Sequence, residues 1–485
     1  MRTSTLLVGS LLLAGHNALA QPPAPFRLAD AIAEADRHAF ANRQAIADTD
    51  AERARAALPL KGVLPSARVE AGFVRTTDPI GAFGTLLRQR AVTLTAFDPA
   101  RLNYPAPVDN IQGGVVLEMP VFNADALIGW QAARTAARAS EAMADWTLHD
   151  VRFNVVRGYY GAILAASKVD LLLSAQRTAQ SAVRQVERMV QQGLVTRADA
   201  LQASVRAADV AAQLASARND ALTAQAQLAL LLGRTSNTRT MTPIALPQSL
   251  PSDTTVRAFL RECCFGSVDS TVTSSVPFTS NDVRSAVRDD VRAAQLGIDA
   301  ARLDARRAAA SLLPRVNSFA RYDWNSASSL YAGRPNWTVG VMASWSLFGG
   351  GSELADVAGA TARSRMAVAG RDAAAAQARI EADQTWRGVQ VARERLALTT
   401  LAATQSAEAR RLIDKRYAGG LATVTELLGA ETSATAADLQ QTAARHDLII
   451  ALAAFLRATG ADPGMLTRLA DGSEAAPSPA STDFN

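Results

Sequence analysis

The run SWSLFGGGSELADVAGA, Ser344 to Ala360, changes from one periodicity to another across three glycines. Upstream, Trp337, Val339, Val341, Ala343, Trp345 and Leu347 alternate with Thr338, Gly340, Met342, Ser344 and Ser346. That period of two belongs to a strand with one apolar face. Downstream the pattern is helical, and no proline interrupts it before Pro463. A phosphate cradle is one reading of Gly349-Gly350-Gly351. The dinucleotide pattern would then need a glycine where Leu354 stands, and a Walker loop needs a lysine followed by Ser or Thr. None of Lys61, Lys168 and Lys415 qualifies. The three glycines are better read as a backbone swivel, where a tilted strand turns into a steep helix without Cβ clashes.

Three more segments alternate in the same way. Ala67, Val69, Ala71 and Phe73 face away from Arg68, Glu70 and Gly72; Val115, Leu117 and Met119 face away from Gly114, Val116 and Glu118. In Val316 to Trp324, Asn317, Phe319, Arg321 and Asp323 share one face. Each segment has the length of a tilted strand across an outer membrane, roughly 8–11 residues. Tyr322, Trp324, Tyr331 and Trp337 lie near strand ends, where interface aromatics sit. After the N-terminus no run of eighteen apolar residues occurs, so entry into a membrane would be through strands. A soluble sheet with one buried face stays open on alternation alone.

The remainder reads as helix. No proline falls between Pro120 and Pro243. Trp146, Phe153 and Tyr160 recur at heptad spacing, and so do Leu201, Ala208, Ala215, Leu222 and Ala229, with Val205, Ala212 and Ala226 between them. Asn123 to Val190 as one helix would be roughly 100 Å long at ~1.5 Å per residue. The apolar fraction of 48% with only 5% aromatics suits long, close-packed, alanine-rich helices.

The chain also repeats itself, and this constrains the fold most. QQGLVTRADALQA from Gln191 matches AGGLATVTELLGA from Ala418; PVFN from Pro120 matches SLFG from Ser346; Gly233 falls on Gly460. LPSARV from Leu64 matches LPRVNS from Leu313 at a wider offset, because the segment Thr76 to Asn110 is extra and reads as a long loop. The expected organisation is a first repeat over 21–234, with strands near 64–75 and 112–121 and a helical hairpin near 123–233. A linker over 235–281 follows. The second repeat, 282–461, has strands near 315–324 and 336–348 and a hairpin near 350–460, and the tail 462–485 reads as disordered.

Residues 1–20 read as an export signal: Arg2, the apolar stretch Leu6 to Ala14, then Ala18-Leu19-Ala20 as a cleavage site. Cys263 and Cys264 are adjacent, which argues against an ordinary stabilising disulfide between them. A net charge of +5 without a basic tract gives no support to nucleic-acid binding. No catalytic motif occurs, and His38, His149 and His446 are isolated, so no enzyme, metal or cofactor site is expected.

The strand-to-helix runs LEMPVFNADALIGW and WSLFGGGSELADV, the turns GLVTRADAL and GLATVTELL, and YPAPVDN before the second strand resemble the TolC-like outer-membrane efflux protein family. Arg43 in HAFANRQA departs from the family's usual proline. The resemblance implies a mixed fold, all-α plus membrane β-barrel: a duplicated helix–strand–strand–helix unit. A homotrimer would form a twelve-stranded outer-membrane barrel and a long periplasmic helical barrel. It implies a passive exit duct of a tripartite efflux or type I secretion system. The partners would be a periplasmic adaptor and an inner-membrane RND or ABC-type pump. Four strands cannot close a barrel, which independently requires several copies. The turns Gly193-Leu194-Val195 and Gly420-Leu421-Ala422 would be the adaptor-contacting tip. Asp199, Tyr417 and Glu426 match positions of the family's periplasmic gate, with Ala422 and Gly429 as departures. The plainer reading of those three is a helix cap, a packed tyrosine and a surface carboxylate. The competing reading of the whole chain is an exported coiled-coil scaffold or adhesin, which leaves the duplicated strands without explanation.

Overall fold

The computed structural model describes residues 26–234, 288–330 and 333–467. The expected signal, the linker with Cys263 and Cys264, Tyr331, and the tail beyond Thr467 lie outside the described residues.

The described residues open with two helices, α1 (Leu28–His38) and α2 (Phe40–Ala56), separated by the extended residue Ala39. Strand β1 (Ser66–Thr76) is followed by α3 (Pro79–Arg88) and α4 (Pro99–Asn103), and then by β2 (Val108–Phe122). The long helix α5 (Ala124–Gln191) has 68 residues, and α6 (Arg197–Leu231) returns along it. The second half repeats the plan: α7 (Asp289–Ala310), β3 (Arg315–Ser326), β4 (Arg334–Ser344), the 67-residue α8 (Ser352–Ala418) and α9 (Val424–Ala458).

All four strands form one antiparallel sheet in the order β1-β2-β3-β4. The register aligns Val69, Val115, Tyr322 and Trp337 in one row and Ala67, Leu117, Ala320 and Val339 in the next. Because side chains alternate, Arg68, Val116, Arg321 and Thr338 form a row on the opposite face. The β2–β3 ladder shifts between Pro120 and Phe122, where proline has no N–H to donate.

The helices pack as a bundle in which α5 contacts α2 and α7 near the sheet and α6 further away. The main core joins Tyr159, Tyr160, Ile163, Leu228, Leu396, Leu448 and Leu452 from both repeats. Nearby, two guanidiniums lie against the Trp146 ring, Arg288 at 4.3 Å and Arg457 at 4.9 Å from its centroid. Glu381 pairs with both arginines, and Asp150 with Arg457. This clamp ties α5, the start of α7, α8 and α9 together.

The structure corrects four expectations. Strand β4 ends at Ser344, not near 348, because its partner β3 begins at Arg315, opposite Ser344. Beyond that point the indole of Trp345 donates to the Leu312 carbonyl at 2.9 Å and turns the chain. The segment between β1 and β2 is not a plain loop: Asp78 and Asp98, each followed by proline, cap α3 and α4. The start of the tail is ordered. Pro463–Leu466 forms a 3-10 turn that buries Leu466, and Asp462 pairs with Arg152 at 2.7 Å. Of the α6 heptad Leu201, Ala208, Ala215, Leu222 and Ala229, only the last member lies in the intramolecular seam, where Ala229 is buried. Ala203, Val210, Leu214 and Ala217 are buried instead, while Leu222 is 69% exposed. Alanine-rich α6 carries two apolar stripes, and burial against α5 selects one of them.

Candidate functional site

The sheet separates its chemistry by face. One face carries Ala67, Val69, Leu117, Met119, Trp337, Val339 and Val341. Among the described residues nothing covers it: Val341 is 70% exposed, and Val69 and Trp337 are similarly bare. The other face carries Arg68, Glu70, Glu118, Arg321, Asp323, Asn336, Thr338 and Ser344. Arg68 pairs with Glu70 at 2.9 Å and with Glu118 at 3.2 Å; Arg321 reaches Glu70 at 3.6 Å. These pairs are solvent-exposed, so they add little stability and instead make the face polar and of mixed charge. Sequence alternation gave Glu70, Glu118 and Ser344 one face. It did not show that Arg68 and Arg321, from different repeats, converge on Glu70.

The sheet meets the helices at two differently built corners. In the first repeat β2 passes into α5 through the single residue Asn123, whose amide donates to the Gly62 carbonyl at 3.0 Å. In the second, Gly350 and Gly351 adopt φ of 69° and 84°, the left-handed region that a side chain opposes. Glu353, in the first turn of α8, accepts from the Ser346 hydroxyl at 3.2 Å. Its carboxyl is held below the ordinary range, chiefly by backbone hydrogen bonding. Gly349 adjoins this carboxylate: an added Cβ there would approach Glu353 Oε1 to 2.0 Å.

At the far end of the bundle the two hairpin turns are built alike. α5 ends with Gly193 at φ 73°, and the Leu194 amide donates to the Met189 carbonyl at 2.9 Å. α8 ends with Gly420 at φ 72°, and the Leu421 amide donates to the Arg416 carbonyl at 2.8 Å. Both are left-handed glycine stops that satisfy the last carbonyls of a helix. The following helices start with reciprocal caps, Thr196 with Asp199 and Thr423 with Glu426. Leu194 and Leu421 project into solvent at the tip, Val195 and Ala422 pack partly against the core beside it, and the Arg416 guanidinium donates to the Leu421 carbonyl at 3.1 Å.

Asp199, Tyr417 and Glu426 lie at this tip, each engaged within the protomer. The Asp199 carboxylate accepts from the Thr196 amide at 2.9 Å and from its hydroxyl at 2.7 Å. The Thr196 hydroxyl and then its amide lower the Asp199 pKa. Glu426 accepts from the Thr423 amide at 2.7 Å, and its pKa is lowered by that bond and by the Thr423 hydroxyl. Tyr417 is 3% exposed and packs with Val186, Ala203, Val424 and Leu427. Its hydroxyl donates to Met189 Sδ at 3.2 Å. Burial, and then the charge of Asp199, raise its pKa. Within one protomer, therefore, Asp199 and Tyr417 are near each other electrostatically but make no direct bond. Met189 was not legible as a partner, because it lies 228 residues from Tyr417 and only the fold brings α8 beside α5. The Thr425 hydroxyl contacts Gln202 Oε1 at 3.3 Å and adds a second link between the two turns.

Among the described residues no helix is long and apolar enough to cross a membrane, and no cluster of metal-ligating side chains occurs. Among solved structures, the outer-membrane channel OprN aligns at TM-score 0.71 and 20% identity, covering 90% of this chain and 90% of that one. The Campylobacter jejuni CmeC outer membrane channel aligns at 0.73 and 15% identity, over 89% and 85% of the two chains. The open state of the Neisseria gonorrhoeae MtrE outer membrane channel aligns at 0.69 and 18%, over 90% and 89%. Among curated proteins, none matches. The neighbours establish a TolC-like fold, and both they and the matched family are channels rather than enzymes. The family of outer membrane efflux proteins matches residues 31–234 and 285–461, which take in both repeats, so the chain belongs to the outer membrane efflux protein family.

Proposed function

We propose that the chain assembles as a homotrimer in the outer membrane of a Gram-negative bacterium. There it serves as the passive exit duct of a tripartite efflux or type I secretion system. The observation that carries this reading is the sheet: among the described residues it has four strands with both edges unpaired, one face apolar and bare, the other charged. Lipid tolerates no open strand edge, so β1 of one copy pairs with β4 of the next. Three copies close twelve strands, with Val69, Val339 and Val341 toward lipid and Arg68, Glu70, Glu118 and Arg321 toward the lumen. The second apolar stripe of α6, with Leu201, Val205 and Leu222, is then covered by helices of the neighbouring copy.

In this assembly the helices descend into the periplasm. The turns Gly193-Leu194-Val195 and Gly420-Leu421-Ala422 meet a periplasmic adaptor, and an RND or ABC-type pump in the inner membrane supplies energy and cargo. Asp199, Tyr417 and Glu426 narrow the entrance. Tyr417 bonded to Met189 holds the two hairpins of one protomer together, and three Glu426 side chains ring the axis. The test is the mass of detergent-extracted protein by light scattering, with outer-membrane fractionation. A trimer in the outer-membrane fraction is the expected result, and a soluble monomer would overturn it.

A further inference from the structure

The segment 77–107 has no counterpart in the second repeat, where residues 327–333 alone join β3 to β4. It lies at the end of the sheet opposite the helices, since α5 and α8 leave from the other ends of β2 and β4. It is also fastened to the charged face. The Gln89 amide donates to the Asp109 carbonyl at 2.7 Å and to Asn110 Oδ1 at 3.0 Å. The Asn110 amide passes the contact on to Asn325 Oδ1 of β3 at 2.8 Å. Asn110 and Asn325 are buried beneath the segment, Asn325 to 2% exposure. The Arg90 guanidinium extends further and donates to the Pro335 carbonyl of β4 at 3.2 Å. The insertion is thus tied to three strands in turn.

Arg90 makes this arrangement more than loop packing. α3 ends as α5 and α8 do: the Arg90 amide donates to the Leu87 carbonyl, and the Ala91 amide to that of Leu86. The residue at this position of the motif must be left-handed. At the ends of α5, α6, α8 and α9 it is glycine, at Gly193, Gly233, Gly420 and Gly460. Here it is Arg90 at φ 52°, the sole non-glycine residue with positive φ among those described. A strained backbone is retained where a side chain is needed at that point, and the guanidinium on Pro335 supplies the need. On α3, Ala82 is buried while Ile80 and Leu87, one heptad apart, are exposed, as is Leu94 beyond it.

We propose that residues 77–107 form a lid across the outer mouth of the barrel, anchored by Gln89 and Arg90. Three copies bring Ile80, Leu87 and Leu94 together into an apolar extracellular constriction. This inference rests on the trimeric-barrel reading above. In that assembly the charged face is the lumen, so whatever covers its outer end narrows the exit. Apolar constrictions close pores by excluding water. The duct would then be closed at its outer end by a device separate from the tip.

The test uses whole cells expressing the full chain with Cys263→Ser and Cys264→Ser, carrying Thr338→Cys on the lumenal face below the lid. The probe is a membrane-impermeant polyethylene-glycol maleimide added from outside. Labelling should be slow in this parent. It should be several-fold faster with Gln89→Ala and Arg90→Gly, and with residues 79–103 replaced by a short Gly-Ser linker. Leu94→Cys on the lid itself, in the chain that keeps residues 79–103, should label rapidly. Equal labelling of Thr338→Cys with and without the lid, whether fast or slow, would overturn the lid. The trimeric reading is scored separately by the mass of the extracted protein. Arg90→Gly also relieves the left-handed strain, so a merely structural role predicts unchanged or better assembly with no change in labelling.

Discussion

The hydroxyl of Tyr417, one residue from the end of α8, donates to the thioether of Met189, near the end of α5, at 3.2 Å. The two helices come from different repeats, so the contact is a latch between hairpins within one protomer. A hydrogen bond of this kind contributes about 0.5–1.5 kcal/mol at most, whereas removing a buried aromatic ring costs about 3–5 kcal/mol. Tyr417→Phe should therefore leave the fold intact, and Tyr417→Ala should loosen the tip. Hydrogen exchange over 182–203 and 413–428 would check the difference. Equal exchange in Tyr417→Phe and Tyr417→Ala would show that the ring does not hold the hairpins.

The gate proposal goes further. Tyr417→Phe combined with Asp199→Ala removes the hydroxyl and one reciprocal cap, and should raise single-channel conductance or antibiotic leakage in a trimer that still assembles. Block by cations from the periplasmic side should weaken in Glu426→Gln, because a carboxylate ring attracts them. A double variant that conducts like the parent would place the closure in other contacts.

The two sheet faces should tolerate charge unequally. Val341→Arg puts a guanidinium on the apolar face near mid-strand and should cost about 2–4 kcal/mol in the bilayer. Ser344→Glu, on the charged face opposite Arg315, should cost little. The yield of heat-resistant trimer on gels reads the difference, and similar yields would refute the assigned register.

At the corner before α8, Gly351→Ala forces a side chain into the left-handed region and should cost roughly 1–2 kcal/mol. Gly370→Ala, inside α8 with open space around it, should instead stabilise by about 0.8–1.0 kcal/mol through helix propensity. Denaturant unfolding of the pair, with opposite signs, is the expected outcome.

Above the tip, Glu431 and Asp438 on α9 have pKa values raised chiefly by burial, partly offset by Arg410 and, for Glu431, by Arg206. A carboxyl raised in the folded state stabilises the fold in its protonated form. That contribution is complete below the ordinary carboxylate range and is lost as pH rises through the raised folded value. Glu431→Gln should therefore raise thermal stability at neutral pH and leave it unchanged in acid. Asp199 and Glu426 act oppositely, since lowered values give stability that is lost only as pH falls through them. A variant equally stable to the parent at both pH values would show that Glu431 is not strained when ionised.

Much of this protein was legible as sequence because its signals are local or periodic. Alternation over Trp337 to Ala343 needs no partner to be read, since side chains of a strand must alternate. Gly193 and Gly420 declare a left-handed stop, because only glycine adopts it freely, and duplication of the turns set the two repeats in register. Three matters depended on contacts between residues far apart in the chain. Strand β4 stops at Ser344 because β3 offers nothing to pair beyond Arg315, although alternation continues to Leu347. α6 has two apolar stripes, and only the presence of α5 decides which is covered within the chain. The insertion after β1 lacks a long periodic signal. Its role emerges only when folding brings Gln89, Asn110, Asn325, Arg90 and Pro335 to one end of one sheet, because hydrogen bonds across hundreds of residues leave no pattern in the chain that makes them.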